Sequence, residues 1–439
     1  MKYYLKIIFF IFRVSGLIVF LLSCNKAPIP SSLKQLNIVW SKCYGGSDDD
    51  QYFSMIQTSD EGYLVNGETE SNDGDVSANN GLEDGWIIKL DNQGSLEREK
   101  CFGGEYSDYT TSIIQTSDMG FIASGWTFSS TCNLCDSEGW IFKLDQFDNT
   151  EWERSYGGSG KDYFSEMLLM DDGGYLVAGV TRSKDGDVTG NHGESDGWII
   201  KMNEDGEIIW QKCYGGSGWD YFSSISKTSD GGFIVGGSSY SMDGDVIGNH
   251  GYRDIWILKL NEIGSIEWQK CYGGSKYDEY GSIILTEDGG YLVAGSVVSK
   301  DGDVSSNHGQ NDCWILKLDG LGNIEWQKCY GGSKGDGSES IIQTWDGGYM
   351  VVGGTYSIDG DITSNHGDQD GWILKLDNDG NLEWESCIGG TSWDRLVSII
   401  QITDASYVVG GRTKSIDGDI SANHGEVDFV IMTINLSGQ

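Results

Sequence analysis

The unit Cys271–Lys328 reads CYGGSKYDEYGSIILTEDGGYLVAGSVVSKDGDVSSNHGQNDCWILKLDGLGNIEWQK, and its pattern decides the fold. Its Gly-Gly pair recurs along the whole chain. The pairs start at Gly45, Gly103, Gly157, Gly215, Gly273, Gly331 and Gly389. The successive intervals are 58, 54, 58, 58, 58 and 58 residues, so the chain contains seven copies of one unit. A fixed period of this length is typical of repeat architectures.

Each unit contains four short segments with the composition of β-strands. In the quoted unit these segments are Ser282–Thr286, Gly290–Ser296, Cys313–Asp319 and Ile324–Tyr330. An Asp-Gly pair joins the first two segments, which is a strong hairpin signal. Side chains alternate along the third segment, as they do in a strand with one wetter face. Four antiparallel strands repeated seven times predict an all-β, seven-bladed β-propeller.

The two ends of the repeat array predict that the propeller closes into a ring. The last unit stops after its third strand, Asp428–Asn435, whereas the array begins with an isolated fourth strand, Ile38–Tyr44. We expect the N-terminal strand to complete the last blade, because this removes open sheet edges that would otherwise aggregate. The predicted domains are a signal peptide over 1–23, a lipidated cysteine with its tether over 24–37, and the propeller over 38–439.

Residues 1–23 have the pattern of a secretory signal peptide, with a charged start, an apolar stretch and a small residue at the end. The tetrad Leu21-Leu22-Ser23-Cys24 resembles the lipobox of bacterial lipoproteins. This resemblance implies that Cys24 is lipidated and that the protein is anchored in the bacterial cell envelope, at the outer membrane. An ordinary cleaved signal followed by a chance cysteine is the alternative.

The composition excludes several classes of protein. The 439 residues include 65 glycines and 2 prolines, and there is no Gly-X-Y period, which excludes collagen. Hydrophobic residues make up 38% and aromatic residues 12%, so disorder is not expected. The formal net charge of −38 would repel phosphate, which argues against a nucleic-acid partner.

Two sets of loops are expected to share one face of the propeller, which we call the long-loop face. The first set enters each blade and reads Gly-Gly-x-x-x-Asp, with the aspartates Asp50, Asp108, Asp162, Asp220, Asp278, Asp336 and Asp394. The second set joins the second and third strands and reads Asp-Gly-Asp-x-x-x-Asn-His-Gly-x-x-Asp, with variations, in six units. It contains all five histidines, His192, His250, His308, His366 and His424. Because function concentrates on loops, we place the functional site on this face.

The second set of loops spaces oxygen atoms at positions 1, 3, 7 and 12, much as calcium loops of the EF-hand type do. The candidate calcium ligands are Asp73, Asp75, Asp185, Asp187, Asn191, Asp196, Asp243, Asp245, Asn249, Asp254, Asp301, Asp303, Asn307, Asp312, Asp359, Asp361, Asn365, Asp370, Asp417, Asp419, Asn423 and Asp428. No bidentate glutamate closes the loop, however. The alternative is that these side chains accept hydrogen bonds from turn amides.

Cysteines and unrepeated tryptophans supply further candidates. Six cysteines recur in the fourth strands of different blades, where we expect small buried thiols rather than disulfides. Cys132 and Cys135 lie together in a shortened loop, and we predict a local disulfide between them. A redox motif or a zinc knuckle is the weaker alternative, because neither has its usual sequence context.

Trp219 and Trp393 directly precede the loop aspartates Asp220 and Asp394, and Arg395 follows the second pair. Other units have no tryptophan at this position. A tryptophan in an exposed loop can stack on a sugar ring or pack on a peptide. We therefore predict that these five residues bind a ligand. Partial burial is the alternative role for the two tryptophans.

Two resemblances add to this description. The turn Thr228–Gly232 resembles the front half of the Asp-box of sialidase-like and some endoglucanase-like propellers, which implies a turn. Across residues 38–439, the repeated Asp-Gly-Gly-Tyr, Asp-Gly-Asp-Val, Asn-His-Gly and Trp-x-x-Lys-Leu motifs resemble the repeat-rich propeller lipoproteins and secreted proteins of Bacteroidetes-type bacteria. This resemblance implies an exported propeller, and some of its members carry endoglucanase-like labels.

The sequence therefore predicts a monomeric, lipid-anchored propeller that acts by binding or as a scaffold. Its ligand is a protein, a glycan or a cation such as calcium. One alternative is a glycan-active hydrolase that uses an acidic pair on the same face. Catalysis is disfavoured because the acidic residues are copies of the repeat and because the arginines are scattered. A structural subunit of an envelope complex is the other alternative.

Overall fold

The computed structural model describes residues 35–128 and 137–437, and every regular element within them is a β-strand. In chain order the strands are β1 (Gln35–Tyr44), β2 (Asp50–Gln57), β3 (Tyr63–Thr69), β4 (Asp84–Leu90), β5 (Leu96–Phe102), β6 (Asp108–Gln115), β7 (Phe121–Thr127), β8 (Glu138–Leu144), β9 (Thr150–Tyr156), β10 (Asp162–Leu169), β11 (Tyr175–Thr181), β12 (Asp196–Met202), β13 (Ile208–Tyr214) and β14 (Asp220–Lys227). They continue with β15 (Phe233–Ser239), β16 (Asp254–Leu260), β17 (Ile266–Tyr272), β18 (Asp278–Leu285), β19 (Tyr291–Val297), β20 (Asp312–Leu318), β21 (Ile324–Tyr330), β22 (Asp336–Gln343), β23 (Tyr349–Thr355), β24 (Asp370–Leu376), β25 (Leu382–Ile388), β26 (Asp394–Gln401), β27 (Ser406–Thr413) and β28 (Asp428–Ser437).

These strands form seven four-stranded antiparallel sheets within the described ranges, which confirms the predicted seven-bladed propeller. Blades 1 to 6 take four consecutive strands each, from β2–β5 to β22–β25. Blade 7 consists of β26, β27, β28 and β1. The first strand of every blade contacts the first strands of both neighbours, so the seven first strands line a central channel.

The N-terminal strand completes blade 7, as the sequence predicts. Strand β1 pairs antiparallel with β28, and the register places Gln35 opposite Ser437 and Tyr44 opposite Phe429. Both strands are 10 residues long, so they extend beyond the predicted limits of Ile38 and Asn435. The longer pairing fixes the two ends of the chain to each other over the whole edge.

The first strand of each blade begins earlier than the sequence pattern indicates. In blade 5 the predicted start is Ser282, but β18 begins at Asp278. The reason is a β-bulge between Tyr280 and Ser282, which breaks the alternation of side chains at the point where the prediction starts. The four skipped residues are those that enter the channel from the long-loop face.

The hydrophobic core lies between neighbouring blades rather than within each sheet. One cluster of buried residues joins Ile199 and Tyr214 of blade 3 to Phe222, Trp256 and Leu258 of blade 4. Such clusters recur around the ring, and each draws on two adjacent blades. The repeated third-strand tryptophans thus hold blade against blade, which is the packing expected of them.

Outer strands also reach across to the next blade. The Tyr214 hydroxyl donates a hydrogen bond to the Gly264 carbonyl at 2.5 Å. The Trp210 ring covers the same glycine, which has a φ of +70°. A side chain at Gly264 would be strained and would also meet the indole.

The fourth-strand cysteines are free thiols, as expected. Burial raises the pKa of the Cys43 thiol to about 12, so this thiol is unreactive. Cys24, Cys132 and Cys135 lie outside the described residues, and the lipidation and disulfide assignments stay predictions. Across 35–128 and 137–437, no helix is long and apolar enough to cross a membrane.

Candidate functional site

Direct contacts between the two loop sets place them on one face. The Ser217 N–H donates to Asp243 Oδ1 at 2.7 Å. The Asp245 N–H donates to the Gly215 carbonyl at 2.9 Å. The first residues of the long loop therefore dock on the Gly-Gly loop of the same blade. The equivalent bonds occur in other blades, so this face is built from repeated interactions.

The loop aspartates are buried at the junctions between blades. Asp220 Oδ2 accepts hydrogen bonds from the Gly216 N–H at 2.7 Å and the Ser241 hydroxyl at 2.6 Å, and Oδ1 accepts one from Ser239. The Asp220 N–H donates to the Ser195 carbonyl of the previous blade at 2.9 Å. The same N–H donates across all seven junctions, at 2.7 to 2.9 Å.

This geometry separates two groups among the predicted ligand residues. The carboxylates of Asp220 and Asp394 are turned into the blade junctions and bonded there. Trp219 is 45% exposed and Trp393 is half-buried, and both lie on the long-loop face. Arg395 is half-buried and pairs with Glu339 of blade 6. The ligand-binding prediction therefore rests on Trp219, Trp393 and Arg395.

The long-loop side chains predicted as calcium ligands bond to several different backbone groups. In blade 3, Asp185 Oδ1 accepts from the Ser159 N–H at 2.7 Å, and Asp187 Oδ2 accepts from the Gly157 N–H at 3.2 Å. Asn191 donates its side-chain amide to two backbone carbonyls. Such bonds are those of turn-capping residues. Across the part of the chain that the structure describes, no three His, Cys, Asp or Glu side chains are grouped as a metal site. Calcium binding stays a prediction.

The aspartate at the end of five of the six long loops is buried against a histidine, and in the first unit Asn80 takes the place of the histidine. Asp254 Oδ2 accepts from the His250 N–H at 2.9 Å and lies 2.7 Å from His250 Nδ1. Its Oδ1 is buried and has no hydrogen-bond partner within residues 35–128 and 137–437. Burial, opposed by the His250 hydrogen bonds and assisted by the nearby Asp278 charge, raises the pKa of Asp254 to about 6. The same oxygen is unpaired in Asp84, Asp196, Asp254, Asp312, Asp370 and Asp428.

The repeat loses its sevenfold symmetry where the first strands enter the channel. The second residue of these strands lies between two buried positions and therefore faces the channel. This residue is Gln51, Tyr109, Tyr163, Tyr221, Glu279, Gly337 or Arg395. The residue opposite on the second strand is Glu68, Trp126, Val180, Ser238, Ser296, Gly354 or Arg412. We call these fourteen positions the channel mouth.

Two arginines that look scattered in the sequence meet at the channel mouth. Arg395 and Arg412 are register partners on adjacent strands of blade 7. Arg395 forms an ion pair with Glu339 of blade 6, and Arg412 Nε donates to the Tyr52 carbonyl at 2.8 Å. Burial lowers the pKa of Arg412, and the Glu339 carboxylate opposes this effect. The expectation of scattered arginines was wrong, because residues 17 positions apart pair across a hairpin.

Glu68 of blade 1 lies near Arg412 at the channel mouth, and the pKa of its carboxyl group is raised. Burial raises the pKa of Glu68 to about 8, and the neighbouring Glu83 carboxylate adds to the effect. Glu83 itself accepts a hydrogen bond from the Tyr109 hydroxyl. The positive charge of Arg412 on the neighbouring blade opposes this rise in the pKa of Glu68.

Exposed and half-buried aromatic rings form a row along the rim of blades 4 and 5. The row consists of Trp219, Tyr240, Tyr277 and Tyr252. Consecutive ring centroids lie 6.3, 6.4 and 5.3 Å apart. Trp219, Tyr252 and Tyr277 are 45%, 64% and 47% exposed. We call these four rings the aromatic row.

Two arginines hold the aromatic row in place. The Arg182 guanidinium lies 4.9 Å from the Trp219 ring centroid, and Arg253 lies 5.8 Å from both Tyr240 and Tyr277. Arg253 also pairs with Glu279 at 2.9 Å, which connects the row to the channel mouth. Cation–π contacts of this kind fix the ring orientations. Sequence reasoning missed Tyr240, Tyr252 and Tyr277, although each is a large exposed or half-buried aromatic on the long-loop face.

A cavity of about 440 Å³ opens at the channel mouth where blades 5, 6 and 7 meet. Its lining includes Glu279 from blade 5, Gly337 and Gly354 from blade 6, and Arg395 from blade 7. The aromatic row is connected to it through Arg253, which pairs with the lining residue Glu279 and lies 5.8 Å from the Tyr277 ring centroid. We call this space the blade-6 cavity.

Comparison with known proteins supports the fold and goes no further. No protein-family model matches the chain, and no curated protein matches it. Among solved structures, the Pan2 WD40 domain of Neurospora crassa matches with a TM-score of 0.52 and 9% identity, over 94% of this chain and 98% of that one. A puromycin hydrolase matches with a TM-score of 0.49 and 11% identity, over 84% and 51%. Drosophila Plexin A, in complex with Semaphorin 1b, matches with a TM-score of 0.48 and 10% identity, over 92% and 88%. The first likeness supports the propeller fold alone.

Proposed function

We propose that this protein is a non-catalytic binding propeller of the bacterial cell envelope. Its ligand is a protein or a glycan that lies across the long-loop face, over the aromatic row and the channel mouth. The observation that carries the proposal is the aromatic row. Its rings are contiguous and three of the four are exposed, and at the aligned positions of other units only Trp393 and Tyr356 repeat the same residue.

Physical chemistry favours binding at such a surface. A contiguous exposed aromatic surface is uncommon on a monomeric protein and marks an interaction site. Rings held by Arg182 and Arg253 lose little freedom when a ligand stacks on them. Indole and phenol groups offer an apolar face together with a polar edge, which suits amphipathic ligands.

The test compares two exposed tryptophans on opposite faces. Trp219 belongs to the aromatic row, whereas Trp345 is 62% exposed in the hairpin turn between β22 and β23. We expect Trp219→Ala to weaken retention on glycan and peptide arrays about tenfold, because a stacked ring contributes about 1–2 kcal/mol at such sites. Trp345→Ala is the matched control and should leave retention unchanged.

The array results also separate this proposal from its alternatives. Equal retention by both variants would place the binding surface elsewhere and overturn the proposal. No retention on any array, together with co-purification of membrane proteins, would favour a structural subunit. Turnover of a retained glycan would favour the hydrolase.

We infer that the propeller is tethered to a membrane through a lipid on Cys24. The lipobox-like tetrad that ends at this residue supports the inference. Stable anchoring takes more than one acyl chain or a second membrane signal, so the lipid on Cys24 is expected to carry at least two chains. Cys24→Ala should move the protein from the membrane fraction to the soluble fraction. Unchanged membrane association after this substitution would contradict the inference.

A further inference from the structure

We propose that the blade-6 cavity is a subsite for an acidic sugar residue, of the uronic-acid type, at one end of a glycan that lies along the aromatic row. This inference rests on the proposed function and names the ligand class of the same face. Blade 6 differs from the other blades in the residues that it places at the channel mouth.

The cavity exists because blade 6 lacks three side chains. Gly335, Gly337 and Gly354 line it, and the equivalent positions in every other unit carry a side chain. In blade 4, for example, these positions are Trp219, Tyr221 and Ser238. Neither Gly337 nor Gly354 has a positive φ, so the backbone does not require glycine there. The glycines therefore provide space.

Polar side-chain atoms lie close to the Cα atoms of the three glycines. A Cβ at Gly335 would lie 2.7 Å from Asn311 Oδ1, and one at Gly337 would lie 2.6 Å from Ser296 Oγ. A Cβ at Gly354 would lie 2.6 Å from the Gln369 amide nitrogen. The space beside blade 6 is thus bordered by hydrogen-bonding groups rather than by apolar ones. Such a lining suits a small polar ligand.

Two buried polar atoms of the lining are unmatched. Within residues 35–128 and 137–437, nothing accepts the hydrogen of Arg395 Nε, and nothing donates to Gln369 Oε1. Gln369 is only 4% exposed. An unmatched buried group costs about 1–3 kcal/mol, so a ligand that draws these two side chains toward the cavity and satisfies both atoms gains affinity. Such a ligand offers an acceptor to Arg395 Nε and a donor to Gln369 Oε1, as a carboxylate and a hydroxyl do in a uronic acid.

The local charge favours an anionic ligand. The whole chain carries a net charge of −38, yet Arg395 and Lys334 line this cavity. Of the two lining carboxylates, Glu279 is paired with Arg253 at 2.9 Å, and Asp336 is buried and accepts hydrogen bonds at its blade junction, which reduces their repulsion. A guanidinium binds a carboxylate through strong charge-assisted hydrogen bonds. Tyr356, also in the lining and 40% exposed, offers a ring to the apolar face of a sugar.

The experiment measures binding of the full-length protein in detergent by calorimetry. The probes are trigalacturonate, its fully methyl-esterified form and the tripeptide Ala-Ala-Ala with a free carboxylate. We expect trigalacturonate to bind at least about tenfold more tightly than the ester, because only the acid can share the Arg395 guanidinium with Glu339 through charge-assisted hydrogen bonds. Equal affinities for the acid and the ester would overturn the proposal.

Two substitutions place the effect in the cavity. Gly337→Tyr introduces the residue that blades 2, 3 and 4 carry at this position, and it should weaken trigalacturonate binding at least about tenfold by filling the space. Arg395→Lys keeps the charge and removes Nε, and it should reduce the preference for the acid over the ester. Thermal melting confirms that each variant is folded, and Arg395→Lys carries the test if Gly337→Tyr does not fold.

The outcomes distinguish this subsite from the proposed function. Glycans that lose affinity in Trp219→Ala but not in Gly337→Tyr or Arg395→Lys would leave the binding face in place and overturn the acidic-sugar subsite. Tighter binding of the tripeptide, sensitive to Gly337→Tyr, would assign the cavity to a peptide carboxylate instead. If Trp219→Ala affects no probe, the proposed function fails as well.

Discussion

Trp219 and Asp220 are neighbours in the chain, but Asp220 lies in a buried blade junction whereas Trp219 lies on the exposed binding face. Asp220 has an equivalent in all seven units and is fully buried. Its carboxylate accepts hydrogen bonds from the Gly216 amide and two serine hydroxyls. Trp219 has a tryptophan equivalent only at Trp393 and is 45% exposed. Within this protein, identity between units marks the blade junctions, and difference between units marks the binding face.

Glycine shows the same contrast. At Gly215 a Cβ would lie 2.6 Å from an oxygen of Asp220 and 2.9 Å from one of Asp196, so the two carboxylates of the junction require glycine there. At Gly337 the only close atom is the Ser296 hydroxyl, which can rotate away. One glycine is required by its neighbours, whereas the other leaves a cavity open. The repeated glycine is architectural, and the unrepeated one is a feature of the site.

The largest effect is expected at a blade junction. Asp220→Ala removes the acceptor of three donors, the Gly216 N–H and the Ser239 and Ser241 hydroxyls. Buried donors without a partner are costly, so we expect a loss of about 3 kcal/mol in the free energy of unfolding. Urea unfolding followed by tryptophan fluorescence measures this loss. Asp220→Asn, which keeps one acceptor, should cost less.

The adjacent residue provides the control for this prediction. Trp219→Ala changes a half-exposed side chain on the binding face, and we expect it to cost less than about 1 kcal/mol of stability. The comparison between junction and binding face breaks down if the two alanine variants are equally destabilised. In that case Trp219 would belong to the architecture, and its exposure would be no guide to function.

The architecture could be predicted almost completely from the sequence. The spacing of Gly-Gly pairs fixed the number of blades, and the incomplete units at the two ends predicted the pairing of β1 with β28. Both features depend on local patterns copied many times, so each copy confirms the others. The start of the first strands was wrong because a bulge such as that at Tyr280 interrupts the alternation on which strand prediction depends.

The channel mouth could not be predicted in the same way. Its residues come from different blades and meet only when the ring closes, as Arg395 and Glu339 do. Cross-strand register was needed to bring Arg412 beside Arg395. A signal was nevertheless present. Aligning the seven units and asking which positions differ most would have pointed to the residues that flank each loop aspartate, including the glycines of blade 6.

A smaller and pH-dependent effect tests the junctions by a different route. Burial raises the pKa of Asp254 to about 6 and likewise that of Asp50 to about 6. In the unfolded chain both groups titrate near 3.8. Between these values the folded protein binds more protons than the unfolded chain does. The contribution of each group to stability is therefore full below pH 3.8 and is lost as the pH rises through about 6.

We expect the wild-type free energy of unfolding to fall between pH 4 and pH 6, with Asp254 contributing on the order of 2 kcal/mol to the fall. The groups that face Asp254 are His250 on its own loop and Asp278 of the next blade, and the Cys271 thiol lies close by.

Asp254→Asn cannot titrate, so its urea unfolding curves at pH 4, 5 and 6 should show a shallower fall in the free energy of unfolding, whatever its absolute stability. Trp345→Ala should keep the wild-type slope, because this exposed indole lies in a hairpin turn on the opposite face from Asp254. Parallel slopes for Asp254→Asn and the wild type would show that the buried aspartate is ionised throughout this range. An ionised Asp254 would need a hydrogen-bond donor or a cation beside its unpaired Oδ1. That result would favour calcium binding at the blade junctions rather than at the binding face.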